Sequence, residues 1–298
     1  PNSCLALVKL FYEAGLPDKW CQPIITNNEL AEKLATDFRV GYLSFIGSAR
    51  VGWYLRSKLA AGSRCALEHG GSAPVIVDDT AELKTLIPPL VKGGFYHAGQ
   101  VCVSVQRIFA PRANAEHIAF LIAEQAERLK VGDPALPDTE VGPLIAPKEV
   151  DRIDEWVKEA EQAGSAIVCG GKKIRKTCYE PTVIFNPPVN TRVSSQEIFG
   201  PVVCVYPYDS IDEAIGKANS LPFAFQASVF AKEIDRALYA ASRLNATAVM
   251  LNDHTAFRVD WMPFGGRDDS GIGMGGIPYS VKEMSREKML VIKSSALD

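Results

Sequence analysis

One cysteine stands in a context that suits nucleophilic chemistry. The stretch "GGFYHAGQVCVSVQR" carries Cys102 just after Gly99 and Gln100, between two valines. Free cysteine is often buried as a small hydrophobe, but Gly99 permits a tight backbone turn and Gln100 is an unusual core residue. A backbone N–H at such a bend could also stabilise an oxyanion on the atom that the sulfur attacks. Inert packing and nucleophilic catalysis both remain open at this point.

The second candidate is a carboxylate, Glu68 in "ALEHGG". It ends an apolar strand pattern and precedes two glycines, so we expect it at the carboxyl end of a strand, where α/β proteins place their sites. Partial burial would raise its pKa toward neutrality and make it a competent general base. The alternative is an exposed acid at a strand end.

Three glycine-bearing stretches could approach a ligand. "FIGSARVG" places Gly47, Ser48 and Gly52 between a strand pattern and a helix pattern, so backbone N–H groups and the positive end of a helix dipole could face an anion. It matches no standard phosphate motif, and an ordinary turn is the alternative. Glu197 and Phe199 lie in "SSQEIFGPVV", ahead of the glycine-rich "MPFGGRDDSGIGMGG". Such loops let the backbone come close to a ligand or to another segment.

Composition limits the classes of function. The chain has 298 residues, 47% of them hydrophobic and 22% charged, which is typical of a globular protein of one large or two smaller domains. A net charge of -3 argues against a nucleic-acid partner. The 7 cysteines contain no CxxC pair, which favours free thiols in the cytoplasm. We expect neither a membrane span nor an export signal, and no metal site.

The elements that must position these residues alternate between strand and helix. This order predicts an α/β protein whose parallel sheet is covered on both faces. An opening helix should end at Gly15, followed by a strand at "PIIT" and a helix opened by a capping box of Thr26 and Glu29. A second α/β domain should begin near Gly70. The terminal "KMLVIKS" is a strand pattern that could pair with the edge of another subunit.

Taken together and in order, these stretches resemble the aldehyde dehydrogenase superfamily. The likeness covers nearly the whole chain and includes "EAGLP", "FIGS", "LEHGG", "GQVC", "VGPLI", "EIFGPV" and "PFGG" followed by "SG". It implies that residues 1–69 are part of a doubly wound dinucleotide-binding domain, with 272–287 packing back on it. It also implies a catalytic domain at 70–271 and an oligomerisation strand at 288–298, in a homo-dimer or homo-tetramer.

The resemblance further implies roles for the candidate residues. Cys102 would be the nucleophile and Glu68 the general base, while Gly47, Ser48 and Gly52 would face the pyrophosphate of NAD or NADP. Glu197 would hold the nicotinamide ribose and Phe199 would pack beside the nicotinamide. The aldehyde would contact Val101, Val103, Phe257 and Arg258. The thiolate would add to the aldehyde, hydride transfer to the cofactor would leave a thioester, and Glu68 would activate water to hydrolyse it.

Within that resemblance, Arg258 suggests a substrate class. An arginine in the segment that lines the aldehyde tunnel of relatives could grip a carboxylate, sulfonate or phosphonate through paired hydrogen bonds. This implies a small anionic semialdehyde. A surface or salt-bridged arginine is the alternative.

The chain also departs from the family pattern. His69 and Ser72 stand where many relatives have leucine and lysine, and "TNNE" replaces a glycine-rich turn. Relatives carry a further upstream portion with an asparagine that helps hold the oxyanion and a lysine near the adenine ribose. Because losing one oxyanion donor typically costs about a hundredfold in rate, we expect these residues alone to be inactive or to be a piece of a longer product.

Two other functions remain open. Cys102 could act in a thiol hydrolase or transferase, because a neighbouring imidazole lowers the pKa of a thiol; the candidate imidazoles are those of His69, His97 and His254. Alternatively the chain could be a non-catalytic remnant that only assembles with partners. The hydrolase interpretation leaves Glu68 and the turn at Ser48 unexplained. The remnant interpretation leaves the presence of Cys102, Glu68 and Glu197 unexplained.

Overall fold

The computed structural model describes residues 2–296 and confirms the α/β class. The chain forms two compact units. One comprises the described residues up to Leu43 together with Trp53–Arg64, and the other comprises Ser44–Gly52 and the described residues from Cys65 onward. Every candidate site residue belongs to the larger unit.

The helices are, in chain order, α1 (Asn2–Glu13), α2 (Asn28–Ala35), α3 (Ala49–Lys58), α4 (Leu83–Phe95), α5 (Ala115–Ala126), α6 (Pro147–Gln162), α7 (Arg192–Ser195), α8 (Ile211–Ala218), α9 (Ile234–Ala241) and α10 (Ile277–Met284). Short 3₁₀ turns occur at Asp18–Trp20 and Tyr96–Gly99. The strands are β1 (Tyr42–Ile46), β2 (Arg64–Glu68), β3 (Pro74–Val77), β4 (Arg107–Pro111), β5 (Ala166–Cys169), β6 (Lys173–Arg175), β7 (Cys178–Tyr179), β8 (Thr182–Phe185), β9 (Val202–Tyr208), β10 (Phe223–Ala224), β11 (Gln226–Phe230), β12 (Ala248–Leu251), β13 (Arg267–Asp268) and β14 (Gly271–Ile272).

The smaller unit contains α1, α2 and most of α3. The first helix ends before Gly15, whose φ of 94° only glycine adopts readily. The predicted strand at "PIIT" is wrong, because residues 21–27 adopt no regular structure and Ile24 and Ile25 are exposed. The predicted capping box is also wrong. The side chain of Asn27, one residue later than Thr26, caps α2 by accepting a hydrogen bond of 3.0 Å from the Leu30 N–H.

The larger unit is built on a seven-stranded sheet in the order β12, β11, β3, β4, β9, β8, β5. All neighbouring pairs are parallel except β5 and β8. The parallel strands are apolar along their length because both faces are covered, with α4 and α5 packed together and α8 and α9 forming a second pair. Val75, Ile108 and Val203 are fully buried at its centre.

A second, smaller sheet supports the carboxylate candidate. This sheet has three strands in the order β1, β2, β14, counting only the strand residues that belong to the larger unit. β2 ends at Glu68, as the strand pattern predicts, and Glu68 stands opposite Gly271 of the antiparallel β14. Two further ribbons pair β10 with β13 and β6 with β7.

The chain terminus forms no strand over residues 288–296, and Met289, Leu290, Val291 and Ile292 are exposed there. Residues 297 and 298 lie outside the described part. A strand needs a partner for its backbone hydrogen bonds, so pairing of 288–298 with another subunit stays a prediction. The division into domains at residues 69 and 70, with 272–287 returning to the first, also stays a prediction.

Candidate active site

Cys102 lies on a sharply turned backbone, as the glycine before it suggests. His97, Ala98 and Gly99 have φ values of 50°, 55° and 68°, three consecutive residues in the left-handed region. A tight turn follows, in which the Ser104 N–H donates to the Val101 carbonyl at 3.0 Å. Strained backbone of this kind is characteristic of functional sites. The turn places the cysteine at a bend and outside any regular element.

Gln100, the unusual polar residue before the cysteine, holds this turn to the rest of the unit. Its Nε2 donates to the Pro143 carbonyl at 3.2 Å, and its Oε1 accepts from the Ile145 N–H at 2.8 Å. Both partners lie in the segment "VGPLI". Gln100 therefore serves as a bridge between two backbone segments.

The thiol of Cys102 is partly buried among apolar and acidic groups. Val103, Phe225 and Phe264 form a buried cluster against which Val101 and Cys102 pack. Burial and, to a lesser extent, the negative charges of Glu197 and Glu68 together raise the pKa of the Cys102 thiol to about 11, against the opposing charge of Arg258. The thiol is therefore protonated at neutral pH, and it must lose its proton before it can attack a carbonyl.

Glu68 is the carboxyl group best placed to take a proton. Burial raises its pKa, and the charge of Arg258 lowers it in part. A Cβ at Gly275 would lie 2.7 Å from Glu68 Oε1, so this glycine leaves room for the carboxylate. Because Glu68 contributes to the pKa of Cys102, the structure brings these two sequence-predicted residues into one electrostatic environment.

The charge of Glu197 acts on the same thiol, and Phe199 follows it two positions later in the chain. Burial raises the pKa of Glu197 to about 7, although the Gly71 N–H and the charge of Arg152 lower it. Glu197 Oε1 is buried without a hydrogen-bond partner among the described residues, and a Cβ on Gly70 would overlap this carboxylate. Phe199 is exposed and has a φ of 50°. A buried acceptor with no partner suits a ligand hydroxyl.

The turn predicted to face a pyrophosphate has the expected form. β1 ends at Ile46 and α3 begins at Ala49, so Gly47 and Ser48 form the strand-to-helix connection. The Gly47 N–H donates to the Glu68 carbonyl at 3.1 Å, which ties this turn to the end of β2. The absence of a Cβ at Gly52 makes room for the buried ring of His69, with which a Cβ would overlap.

The imidazoles give no support to a cysteine–histidine pair. His69 is buried, with Nδ1 2.9 Å from the Asp269 carbonyl oxygen. The rings of His97 and His254 lie 5.0 Å and 6.4 Å from that of Tyr96. In the part of the chain that the structure describes, no hydrogen bond joins a histidine to the Cys102 sulfur. A thiol activated by imidazole requires that contact.

A cleft of about 520 Å³ is lined by two residues, Tyr96 and Arg258, that interact electrostatically with Cys102. Two cations, Lys92 and Arg258, stand on its wall, and the Arg258 guanidinium lies 4.1 Å from the centre of the Phe264 ring. Tyr96 also lines it, and burial together with the negative charge of Cys102 raises the pKa of this tyrosine to about 12. The remaining lining residues are Pro88, Pro89, Asp253, His254, Ala256 and Phe257.

Two residues of the site, Gln106 and Arg152, were not identified from the sequence. Gln106 hydrogen-bonds to backbone groups of residues 193–198, and Arg152 donates to the Ile198 carbonyl. Their partners are backbone atoms, so no pattern of residue types marks them. A glutamine directly before an apolar strand, in place of an apolar residue, is the one signal that could have indicated Gln106.

Residues 2–296 contain neither a helix suited to span a membrane nor a cluster of side chains suited to bind a metal ion. No helix there has both the length and the apolar character to cross a bilayer. No group of three or more histidine, cysteine, aspartate or glutamate side chains there is arranged to hold a metal ion.

Comparison with known proteins gives a consistent family. The sequence model of the aldehyde dehydrogenase family matches residues 1–290. The 3-sulfolactaldehyde dehydrogenase of Priestia megaterium is 38% identical over 293 residues, which are 98% of this chain and 61% of that protein. The chain thus spans about three fifths of this relative.

Solved structures agree with this comparison. Aldehyde dehydrogenase 21 from Physcomitrella patens, in complex with its product succinate, superposes with a TM-score of 0.84 at 35% identity, over 88% of this chain and 54% of that one. The NADP-dependent glyceraldehyde-3-phosphate dehydrogenase from Bacillus halodurans, complexed with NADP, gives a TM-score of 0.91 at 30% identity, over 95% and 59%.

Proposed function

Since this chain belongs to the aldehyde dehydrogenase family, we propose that it serves the oxidation of an aldehyde to a carboxylic acid with NAD or NADP, through a covalent intermediate on Cys102. One observation carries the proposal: the charges of Glu68, Glu197 and Arg258 all act on the Cys102 thiol, and Arg258 lines an open cleft. A nucleophile, a base and a ligand-binding carboxylate thus share one environment.

Cys102 supplies the nucleophile. Its thiol loses a proton, and its sulfur forms a bond to the carbonyl carbon while the carbonyl π electrons move to oxygen. A backbone N–H at the bend that carries Cys102 would stabilise the resulting oxyanion. Glu68 is the carboxylate that can hold the released proton, because burial has moved its pKa upward.

The residues around Glu197 fit a dinucleotide. Glu197 Oε1 is a buried acceptor without a partner among the described residues, and Gly70 leaves the space in which this carboxylate lies. Glu197 would accept a hydrogen bond from a ribose hydroxyl, Phe199 would pack beside the nicotinamide, and the turn at Gly47 and Ser48 would face the pyrophosphate. The bound dinucleotide would supply the hydride acceptor for the oxidation.

Glu68 also serves the last step. Glu68 first passes the proton from Cys102 to solvent. Water then attacks the acyl carbon of the thioester on Cys102, and Glu68 takes a proton from that water as the carbon–oxygen bond forms. The carbon–sulfur bond then breaks, which returns the thiol and releases the acid. A burial-raised pKa favours Glu68 as a base near neutral pH.

The cleft favours a small aldehyde with an anionic far end. Arg258 and Lys92 line it, and Arg258 offers a guanidinium that can bind a carboxylate or sulfonate through two hydrogen bonds. Phe257 lines the cleft and would contact the carbon chain, whereas Val101 and Val103, also predicted to contact the aldehyde, lie outside the cleft lining and Val103 is buried. Two similar proteins act on or release anionic compounds by their names, a 3-sulfolactaldehyde dehydrogenase and an enzyme whose product is succinate, which supports this choice.

The proposal includes the assembly state and location of the protein. We expect a cytoplasmic homo-dimer or homo-tetramer that pairs through residues 288–298, with neither nucleic acid nor membrane as partner. The exposed side chains of Met289 to Ile292 support an interface there. We also expect these 298 residues by themselves to be inactive. Light scattering of the purified chain and an aldehyde oxidation assay test these points, and oxidation at ordinary enzymatic rates would overturn the last.

Two measurements on the chain test the main proposal. NAD or NADP should raise its melting temperature and change the rate at which iodoacetamide labels Cys102, as followed by peptide mass mapping. The fully buried Cys204 provides the internal control. Indifference of both the melting temperature and the Cys102 labelling to either dinucleotide would overturn the assignment of the cofactor site.

A further inference from the structure

Ile198, the residue between Glu197 and Phe199, has both of its backbone groups bound by side chains from elsewhere. Its N–H donates to Gln106 Oε1 at 2.9 Å, and its carbonyl accepts from Arg152 Nη2 at 2.8 Å. Arg152 belongs to α6, whereas Gln106 stands directly before β4. The segment that carries the two cofactor candidates is therefore held from two directions.

Gln106 uses its whole amide on this segment. Besides the bond to Ile198, its Nε2 donates to the Gln196 carbonyl at 2.7 Å and to the Val193 carbonyl at 3.3 Å. The side chain is buried, at 4% exposure. Only a glutamine or asparagine combines a carbonyl acceptor with two N–H donors on one neutral group. An apolar residue of similar size would remove the partner of the Ile198 N–H and of the Gln196 carbonyl, and one of the two donors to the Val193 carbonyl.

The backbone of Gln106 is anchored to the central sheet. Its carbonyl accepts from the Cys204 N–H at 2.8 Å, at the start of the central pair β4 and β9. The residue follows Cys102 by four positions in sequence, directly after the turn that carries the thiol. Gln106 thus links the nucleophile segment to the segment of Glu197 and Phe199.

Residues 196–199 adopt a conformation that requires stabilising contacts from other parts of the chain. Phe199 adopts a φ of 50°, which is unfavourable for a residue with a bulky side chain. Glu197 is held in a buried position where its Oε1 has no hydrogen-bond partner among the described residues. Both features would relax if the backbone at Ile198 were free.

We propose that Gln106 is a positioning residue: it fixes residues 196–199 so that Glu197 and Phe199 present a preformed face to the dinucleotide beside Cys102. Gln106 itself touches no reacting atom. That a dinucleotide binds this face rests on the proposed function. That Gln106 orders residues 196–199 does not depend on it.

Hydrogen exchange of the purified chain tests the ordering without any ligand. In Gln106→Leu, the amides of the peptide spanning residues 196–200 should exchange at least about tenfold faster, since the acceptor of the Ile198 N–H is gone. Tyr208→Phe is the control, because it removes a buried hydrogen bond to the Val77 carbonyl away from the site; it should leave the exchange of 196–200 unchanged. Unaltered exchange in Gln106→Leu would overturn the proposal.

Dinucleotide binding tests the consequence. Calorimetric titration with NAD and NADP should show about tenfold weaker binding by Gln106→Leu, with an intermediate loss for Gln106→Asn, which keeps the amide on a shorter arm. Tyr208→Phe removes a buried hydrogen bond to the Val77 carbonyl away from the site, so it controls for general loss of stability and should bind as the parent does. Equal affinity of the Gln106 variants and the parent would overturn the proposal.

Different results would refute the proposed function and the proposed role of Gln106. If the parent chain binds neither dinucleotide, the proposed function fails and the exchange experiment alone decides the role of Gln106. If Gln106→Leu does not fold, Gln106→Asn decides it through both measurements. Faster exchange of residues 196–200 with unchanged exchange in the Tyr208→Phe control supports positioning over a general loss of stability.

Discussion

Gly99 and Gly200 lie so close together that a Cβ on Gly99 would overlap the carbonyl oxygen of Gly200. Gly99 stands three residues before Cys102, and Gly200 directly follows Phe199. The backbone contact therefore joins the loop of the nucleophile to the loop of the cofactor candidates. A side chain larger than hydrogen would separate the two halves of the site.

Gly99→Ala should lower the unfolding free energy by more than the positive φ at Gly99 alone would cause. Gly164 has a comparable positive φ of 93°, but no atom lies within 4 Å of the position that a Cβ would take, so Gly164→Ala should cost about 1 kcal/mol in unfolding free energy. Gly99→Ala should cost roughly 3 kcal/mol, because the overlap adds to the unfavourable φ. Urea unfolding of both variants measures the difference, and equal losses would show that the close approach contributes nothing.

The alkylation rate of Cys102 should rise with pH well beyond the range of an ordinary thiol. Burial and two neighbouring carboxylates raise its pKa to about 11, and only the thiolate reacts. Glu68→Gln and Glu197→Gln each remove a negative charge, so each should shift the pH–rate profile of labelling to lower pH. Peptide mapping after iodoacetamide treatment from neutral to alkaline pH follows the profile. A profile that neither substitution shifts would place both carboxylates too far from the sulfur.

The stability of Glu197→Gln relative to the parent should depend on pH. Because burial raises the pKa of Glu197 to about 7 from its ordinary value of 4.5, the ionised carboxylate destabilises the folded state as pH rises above 4.5. This penalty grows up to pH of about 7 and is constant above it, with an upper limit of about 3 kcal/mol. Relative to the parent, Glu197→Gln should therefore gain stability across that window. The exposed Glu161, changed to glutamine, is the control; a pH-independent difference for Glu197→Gln would contradict the burial of its carboxylate.

The anionic-substrate proposal predicts a selective effect at Arg258. In the longest natural form of the protein, Arg258→Leu should raise KM for an anionic aldehyde such as succinic semialdehyde by about tenfold or more, since a charged hydrogen bond is lost. A neutral aldehyde such as propanal should be little affected. Arg243→Leu is a matched control, because that guanidinium also lies over an aromatic ring, 3.7 Å from the centre of Tyr239, outside the cleft. Equal effects on the charged and the neutral aldehyde would remove the role of Arg258.

The sequence could predict the groups that carry charge or a reactive atom, because their residue types and order are visible. The motifs led to Cys102, Glu68 and Glu197, and the charges of both carboxylates act on the thiol; their catalytic and cofactor-binding roles stay predictions. The sequence could not predict Gln106 and Arg152, whose partners are the N–H and carbonyl of Ile198. Every residue except proline has both groups, so only the folded backbone shows which of them needs a partner.

Sequence patterns gave wrong predictions of secondary structure where no contact with the rest of the described chain stabilises the predicted element. The apolar Ile24 and Ile25 match a strand pattern, but a strand forms only where a neighbour can accept its hydrogen bonds. At the start of α2, both Thr26 and Asn27 are able to cap a helix. The choice of Asn27 follows from the residue at which the helix begins, which propensity does not determine.

The central claim is that Cys102 carries the acyl intermediate and Glu68 promotes its hydrolysis. The most direct measurement uses the longest natural form of the protein with Glu68→Gln, incubated with NAD or NADP and succinic semialdehyde, then acid-quenched and mapped by mass spectrometry. We expect a succinyl adduct on the peptide that contains Cys102, more abundant than in the parent and absent in Cys102→Ser. An adduct on another cysteine, or none on any peptide while acid is still formed, would contradict the account.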